Sequence, residues 1–160
     1  METYRMSPAM HSRDILAPAA QTIIGFDFGE KRIGVAVGNT ITLRAEALTT
    51  LHVESNAARL DAVEKLVSAW QPASFVVGQP EHADGSPHVV AHLAKKFGNR
   101  LTEKFHLPVN YVNETLSSTE ASSLLAARGV KGVAQKTEID AVAAQVILQS
   151  YLDDRTRNAA

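Results

Sequence analysis

The chain has 160 residues, 45% of them apolar and 21% charged, with a net charge of -1 and no cysteine. This is about one domain's length of ordinary globular composition, which excludes a disordered chain, a disulfide scaffold and a Cys-based zinc module. Sixteen Lys and Arg against seventeen Asp and Glu give no bulk attraction to polyanions. A nucleic-acid surface would have to be made by concentrating cations on one face.

Residues 1–21 mix Arg5, Arg13, Glu2 and Asp14 with Ser, Pro and Ala. They lack the apolar run of a signal peptide and read as a flexible extension. No segment is apolar enough to span a bilayer, so no membrane partner is expected. The absence of cysteine fits a cytoplasmic setting.

Thr22 to Phe28 is a short, mostly apolar strand. After Gly29, Glu30, Lys31 and Arg32, the residues Ile33, Val35 and Val37 alternate with Gly34, Ala36 and Gly38, which predicts a second strand antiparallel to the first. Ile41 to Leu51 reads as a third, turned at Asn39 and Thr40. Ser55 then caps a helix with Leu60, Val63, Val67 and Trp70 inward, stopped by Pro72. Ser74 to Gly78 is a buried strand, and Gln79 to Ser86 a loop. Pro87 opens a helix that buries Val90, Leu93, Phe97 and Leu101 and is weakened by Gly98. Val109 to Val112 is the fifth strand. Ser117 and Glu120 have capping-box spacing for a helix ending near Arg128 at Gly129. Residues 130–136 read as a loop, and a last helix runs from about Glu138 to Leu152 with Ile139, Val142, Val146 and Ile147 inward. The expected organisation is one α/β domain over 22–152 between flexible segments 1–21 and 153–160. It has a five-stranded mixed sheet, element order βββαβαβαα, with helices on both faces.

Asp27 is the residue most out of place. A carboxylate inside an apolar strand must be paired, protonated or bound to a cation, because burying a lone charge is very costly; the bland alternative is an edge or one-sided strand that turns Asp27 to solvent. Gly25 and Gly29 leave room for something to approach the backbone there. Glu114 follows the fifth strand, at the strand ends where ligands gather in α/β sheets, although an acid there is also an ordinary loop residue. Asp140 stands three residues after Thr137, which alone is capping-box spacing. Spacing does not show that the three acids converge. If they do, hard divalent cations would relieve their repulsion, and a pair of such ions stabilises both oxygens of a phosphodiester displacement. Lys31, Arg32, Lys131 and Lys136 are candidate phosphate contacts, each also readable as an ordinary charged turn. Lys95, Lys96, Arg100 and Lys104 read as a solvated helix face. His82, His88 and His92 lack a metal-site pattern.

Residues Gly25 to Val37 closely resemble the opening strand pair of the YqgF/RuvX family, Holliday-junction-resolvase-like bacterial proteins also described as pre-16S ribosomal RNA nucleases. Val77 to Pro80 with Asp84, Gly85 and Ser86 is similar to its Gly-x-Pro and Asp-Gly loop. Asn113 to Ser118 resembles its Asp-Glu-Arg-x-Ser/Thr-Ser/Thr motif, and Ile139 to Ala144 with Ile147, Leu148, Tyr151 and Leu152 its last-helix motif. The resemblance covers about residues 22–152. It implies an RNase H-like fold and Mg²⁺- or Mn²⁺-dependent phosphodiester hydrolysis by Asp27, Glu114 and Asp140. The implied substrate is structured nucleic acid, an rRNA precursor ahead of branched DNA. The sequence departs from the family at Asn113, where an acid is usual, and at Thr115, where Arg is usual; loss of that Arg removes a bidentate phosphate donor. Glu30 replaces a common Thr, and Gln79 and Glu81 stand where the family tends to be apolar.

Two other readings compete. Asp27 to Val37 also looks like the first phosphate loop of the actin/Hsp70/sugar-kinase superfamily, but 160 residues leave no room for the second lobe that encloses ATP. The altered segment around Glu114 also allows a non-catalytic RNA- or protein-binding module of the same fold.

Overall fold

The computed structural model describes residues 20–80, 89–114 and 132–159. The loop expected from Gln79 starts later, since the strand from Ser74 runs on to Pro80; its remainder, the helix start at Ser86, the helix over 117–128 and most of the 1–21 extension lie outside these residues. Five strands form one sheet: β1 (Thr22–Asp27), β2 (Arg32–Asn39), β3 (Arg44–His52), β4 (Ser74–Pro80) and β5 (Val109–Glu114). The spatial order is β3-β2-β1-β4-β5. β1, β2 and β3 make the antiparallel meander, whereas β4 runs parallel to β1 and β5 parallel to β4. The mixed sheet expected from the element order is therefore present.

Three helices are described: α1 (Asn56–Trp70), α2 (Val89–Phe105) and α3 (Gly132–Ala159). They cover both faces, and strand alternation decides which residues meet which helix. Ile24, Phe26, Val35, Phe75 and Val77 point one way and pack with Val63 of α1 and Ala94, Phe97 and Leu101 of α2. Phe26 meets Phe97 edge to face, with ring centroids 5.3 Å apart. Ile23, Ala36 and Val76 point the other way, onto Ala144, Ile147, Leu148 and Leu152 of α3.

The α3 face of the sheet is floored with small residues. A Cβ added at Gly25 would lie 2.9 Å from Leu148, one at Gly78 2.5 Å from Ile147, and one at Gly34 1.7 Å from the Asp140 carbonyl. What approaches the strand backbone at Gly25 is thus a helix of the same chain. On β3 the approach is fixed by hydrogen bonds. Gln149 accepts from the Ala45 amide at 2.9 Å and donates to the Leu43 carbonyl at 2.9 Å, while Gln145 donates to the Ala45 carbonyl at 2.9 Å. These amides serve backbone groups of a strand at the sheet's edge, which would otherwise need water.

Several boundaries differ from the sequence reading. β3 begins at Arg44 rather than Ile41, because the Asn39 side chain accepts from the amides of Ile41 and Thr42 at 2.7 and 3.1 Å and lengthens the turn. Leu43 then takes a left-handed φ of 59°. Ser55 caps α1 as expected, accepting from the Ala58 amide at 3.1 Å. The helix ends on the left-handed Gln71, and Trp70 in its last turn is 41% exposed instead of inward. Gly98 leaves room for Tyr111, whose hydroxyl would stand 2.1 Å from a Cβ there.

The largest correction concerns α3. It starts at Gly132, where a loop was expected, and continues to Ala159, past the expected end at Leu152. From Val133 to Ala159 there is neither Pro nor Gly, so nothing interrupts the helix once packing of its middle has nucleated it. Leu152 is fully buried and Asp153, Asp154 and Arg155 are exposed, so the core stops where the helix does not.

Candidate active site

Asp27 closes β1. Its register partners are Gly34 on β2 and Gly78 on β4, so neither neighbouring strand offers a side chain beside it. Alternation puts it on the α3 side, with Ile23 and Gly25. It is not turned to solvent, and the edge-strand alternative fails because β1 is the central strand.

Asp140 reaches the same place from α3. The capping-box explanation does not hold, since α3 begins eight residues earlier and Thr137 is inside the helix. Because Gly34 has no side chain, the Asp140 backbone sits directly on β2 opposite Asp27. Burial, and secondarily the Asp140 charge, push the Asp27 carboxyl from its ordinary 3.8 up to about 7. Arg32, the first residue of β2, places its Nε 3.0 Å from Asp140 Oδ2. The guanidinium offsets one of the two acids and leaves the other short of compensation.

Both aspartates line an open cavity of about 360 Å³ with Phe28, Gly29, Glu30, Lys31 and Arg32. The β1–β2 turn that makes its rim is held from behind. Arg59 of α1 lies over the Phe28 ring, 5.4 Å from its centroid, and donates to the Glu30 carbonyl and, at 3.0 Å, to Asn56 Oδ1. The Val53 amide donates to the Lys31 carbonyl at 3.1 Å.

Of the predicted residues, the structure brings together Asp27, Asp140, Lys31 and Arg32. Glu114 ends β5 and pairs in register with Pro80, two residues beyond the level of Asp27. Its backbone is on the same strand-end edge; its side chain, like those of Lys131 and Lys136, lies outside the described residues. Among the described residues no three metal-ligating side chains meet. The pair that does meet offers only carboxylate oxygen, the donor that hard divalent cations prefer, and one member is held above its ordinary pKa by burial and by the charge of the other. A divalent cation fits that donor set. Sequence reasoning missed the Arg32–Asp140 pair and the Arg59 brace, because nothing in the spacing of 32, 59 and 140 signals contact.

The fold is shared with solved structures of very different sequence. Thermus thermophilus RuvC in complex with a Holliday junction substrate aligns with a TM-score of 0.55 at 15% identity, covering 85% of this chain and 96% of that one. The Fowlpox virus resolvase, in a complex with Holliday junction DNA, aligns at 0.54 and 10% identity, covering 83% and 97%. These likenesses define an RNase H-like α/β fold. Residues 21–154 match the family described as "RuvX: Holliday junction resolvase". A protein of Dechloromonas aromatica named "Putative pre-16S rRNA nuclease" is 51% identical over 132 residues, 82% of this chain and 90% of its own. One of Burkholderia ambifaria with the same name is 49% identical over 82% and 89%. The chain belongs to the RuvX family, a family of nucleases, and is a hydrolase acting on ester bonds. Among the described residues no helix is long and apolar enough to cross a membrane.

Proposed function

We propose that the chain is a cytoplasmic, metal-dependent nuclease that trims the ends of pre-16S rRNA, with Asp27, Asp140 and Glu114 holding Mg²⁺ or Mn²⁺. The observation that carries this reading is the meeting of Asp27 and Asp140 in one open cavity, with the Asp27 carboxyl raised to about 7. Two half-buried like charges without full compensation are costly in a resting protein, and a cation would relieve the cost. Bound there, the ion would supply Lewis-acid stabilisation of the phosphodiester and its attacking water. The protein's own part is to fix two carboxylates on rigid elements, to offset Asp140 with Arg32, and to present Lys31 at the rim where a phosphate would enter. The names carried by relatives about half identical favour the rRNA precursor as substrate. The same geometry disfavours a non-catalytic module, which would have no use for an acid pair held in one cavity.

The test is cleavage of a labelled pre-16S precursor and of a four-way DNA junction, with Mg²⁺, Mn²⁺ or EDTA, by wild type, Asp27→Asn and Asp140→Asn. The expected result is metal-dependent trimming of the RNA, reduced at least a hundredfold in both variants. Cleavage of the junction alone would move the substrate to branched DNA. Folded protein that binds RNA without cutting it in any metal would overturn the enzyme reading.

A further inference from the structure

A second groove opens on the other side of the β1–β2 turn. It has a volume of about 390 Å³ and shares Phe28, Glu30 and Lys31 with the aspartate cavity, so the two adjoin at the turn. Four cations line it: Lys31 from the turn, Arg59 from α1, and Lys96 and Arg100 from α2. Positions 96 and 100 are one helical turn apart and share a face. Facing them are two exposed carboxylates, Glu30 and Glu54, so the groove carries a surplus of positive charge in a chain whose net charge is -1.

The α2 cations, alike in sequence, divide by position. Lys95 lies over the Tyr111 ring, 4.3 Å from its centroid, and Lys104 pairs with Glu64 at 3.7 Å. Lys96 and Arg100 turn toward the groove, and among the described residues neither forms an ion pair. Arg59 is held by Phe28, Asn56 and the Glu30 carbonyl, so one cation of the wall is set before any ligand arrives. A fixed cation and three further cations in a groove that adjoins a carboxylate site match a repeating polyanion.

Building on the nuclease reading, we propose that this groove holds the sugar–phosphate backbone of the substrate strand, flanking the scissile bond, through Lys31, Arg59, Lys96 and Arg100. Its role is to add affinity and register to a chain whose sequence carries Thr115 where the family usually has Arg.

The test is equilibrium binding of a precursor RNA across a salt series, in the cleavage-silent Asp27→Asn background. Lys96→Ala/Arg100→Ala is compared with Lys65→Ala/Lys104→Ala, which removes equal charge from exposed positions outside the groove. Each lost single-strand phosphate contact lowers the slope of log K against log salt by about 0.7. The groove pair should lower it by roughly 1.4, with about tenfold weaker binding near physiological salt, and the control pair should leave it unchanged. Arg100→Lys should retain most of the slope. Equal effects of both pairs, or none, would overturn the groove while leaving metal-dependent cleavage intact. Displacement of the RNA by millimolar uridine monophosphate or inorganic phosphate in the groove-intact protein, but not in the groove pair, would reassign the groove to a small anion. Failure of the groove-intact protein to bind either precursor RNA or a DNA junction would remove the nuclease reading and the groove together.

Discussion

Replacing Asp27 by Asn should make the metal-free protein more stable. The carboxyl is raised from 3.8 to about 7, so between those pH values the native state holds a proton that the unfolded state has released. Stability from this group is therefore complete below about pH 4, falls as pH rises through the window, and is constant above it. A rise of that size corresponds to about 4 kcal/mol, an upper bound once the site relaxes. In EDTA at pH 8, Asp27→Asn should gain about 2–4 kcal/mol, seen as roughly 5–15 °C in Tm. At pH 4 the two proteins should unfold together. Millimolar Mg²⁺ should raise the Tm of wild type and leave that of the variant unmoved. Thermal unfolding followed by circular dichroism over pH 4–8, with EDTA or Mg²⁺, measures all of this. A variant no more stable than wild type at pH 8, or a gap that persists at pH 4, would refute the account of Asp27 as a buried acid short of counter-charge.

Gly34→Ala places a Cβ where the Asp140 carbonyl stands and should lift the start of α3 from the sheet. It should cost about 3 kcal/mol or more in urea unfolding and abolish cleavage even in the folded fraction. Arg32→Ala removes the cation 3.0 Å from Asp140. Asp27 then feels a less compensated charge, so the acid limb of the pH–rate profile should move up; a downward shift would show that Arg32 does not serve the acid pair. Gln149→Ala leaves the Ala45 amide and Leu43 carbonyl without their partner and should lower stability by about 1–3 kcal/mol, with exchange protection lost first in β3.

Much of the fold was legible because its signals are local. The alternation in Ile33, Val35 and Val37 gave β2, and the Ser55 cap gave the start of α1. Where a signal was local but ambiguous, the reading slipped. Thr137 and Asp140 have capping-box spacing, yet lie within a helix that starts at Gly132; Asn39 looked like the corner of a two-residue turn, yet its side chain organises a longer one. Asp27 was conspicuous as a charge among apolar neighbours. That Asp140 would meet it was implied by the family resemblance and not by spacing, because the meeting depends on how closely α3 approaches a strand more than a hundred residues earlier. The glycines at 25, 34, 38 and 78 record that approach, but a glycine names neither its neighbour nor the distance. The basic groove was hidden for the same reason: Lys96 and Arg100 differ from Lys95 and Lys104 only in what lies across from them.

The acid pair and the packing of α3 belong to one arrangement. Burying Asp27 beside Asp140 costs a few kcal/mol, and among the described residues Arg32 offsets part of the charge. The remaining offset comes from further along the helix, where Ala144, Ile147, Leu148 and Leu152 are buried on the sheet, each large apolar side chain contributing about 1.5–3 kcal/mol. Gln145 and Gln149 fix the helix to β3 against sliding, and the glycine floor fixes its height. A helix held at three such places cannot relax to separate Asp140 from Asp27. The unfavourable contact therefore persists until a proton arrives, or until a divalent cation of the proposed kind, which would be held by carboxylate oxygens, takes its place.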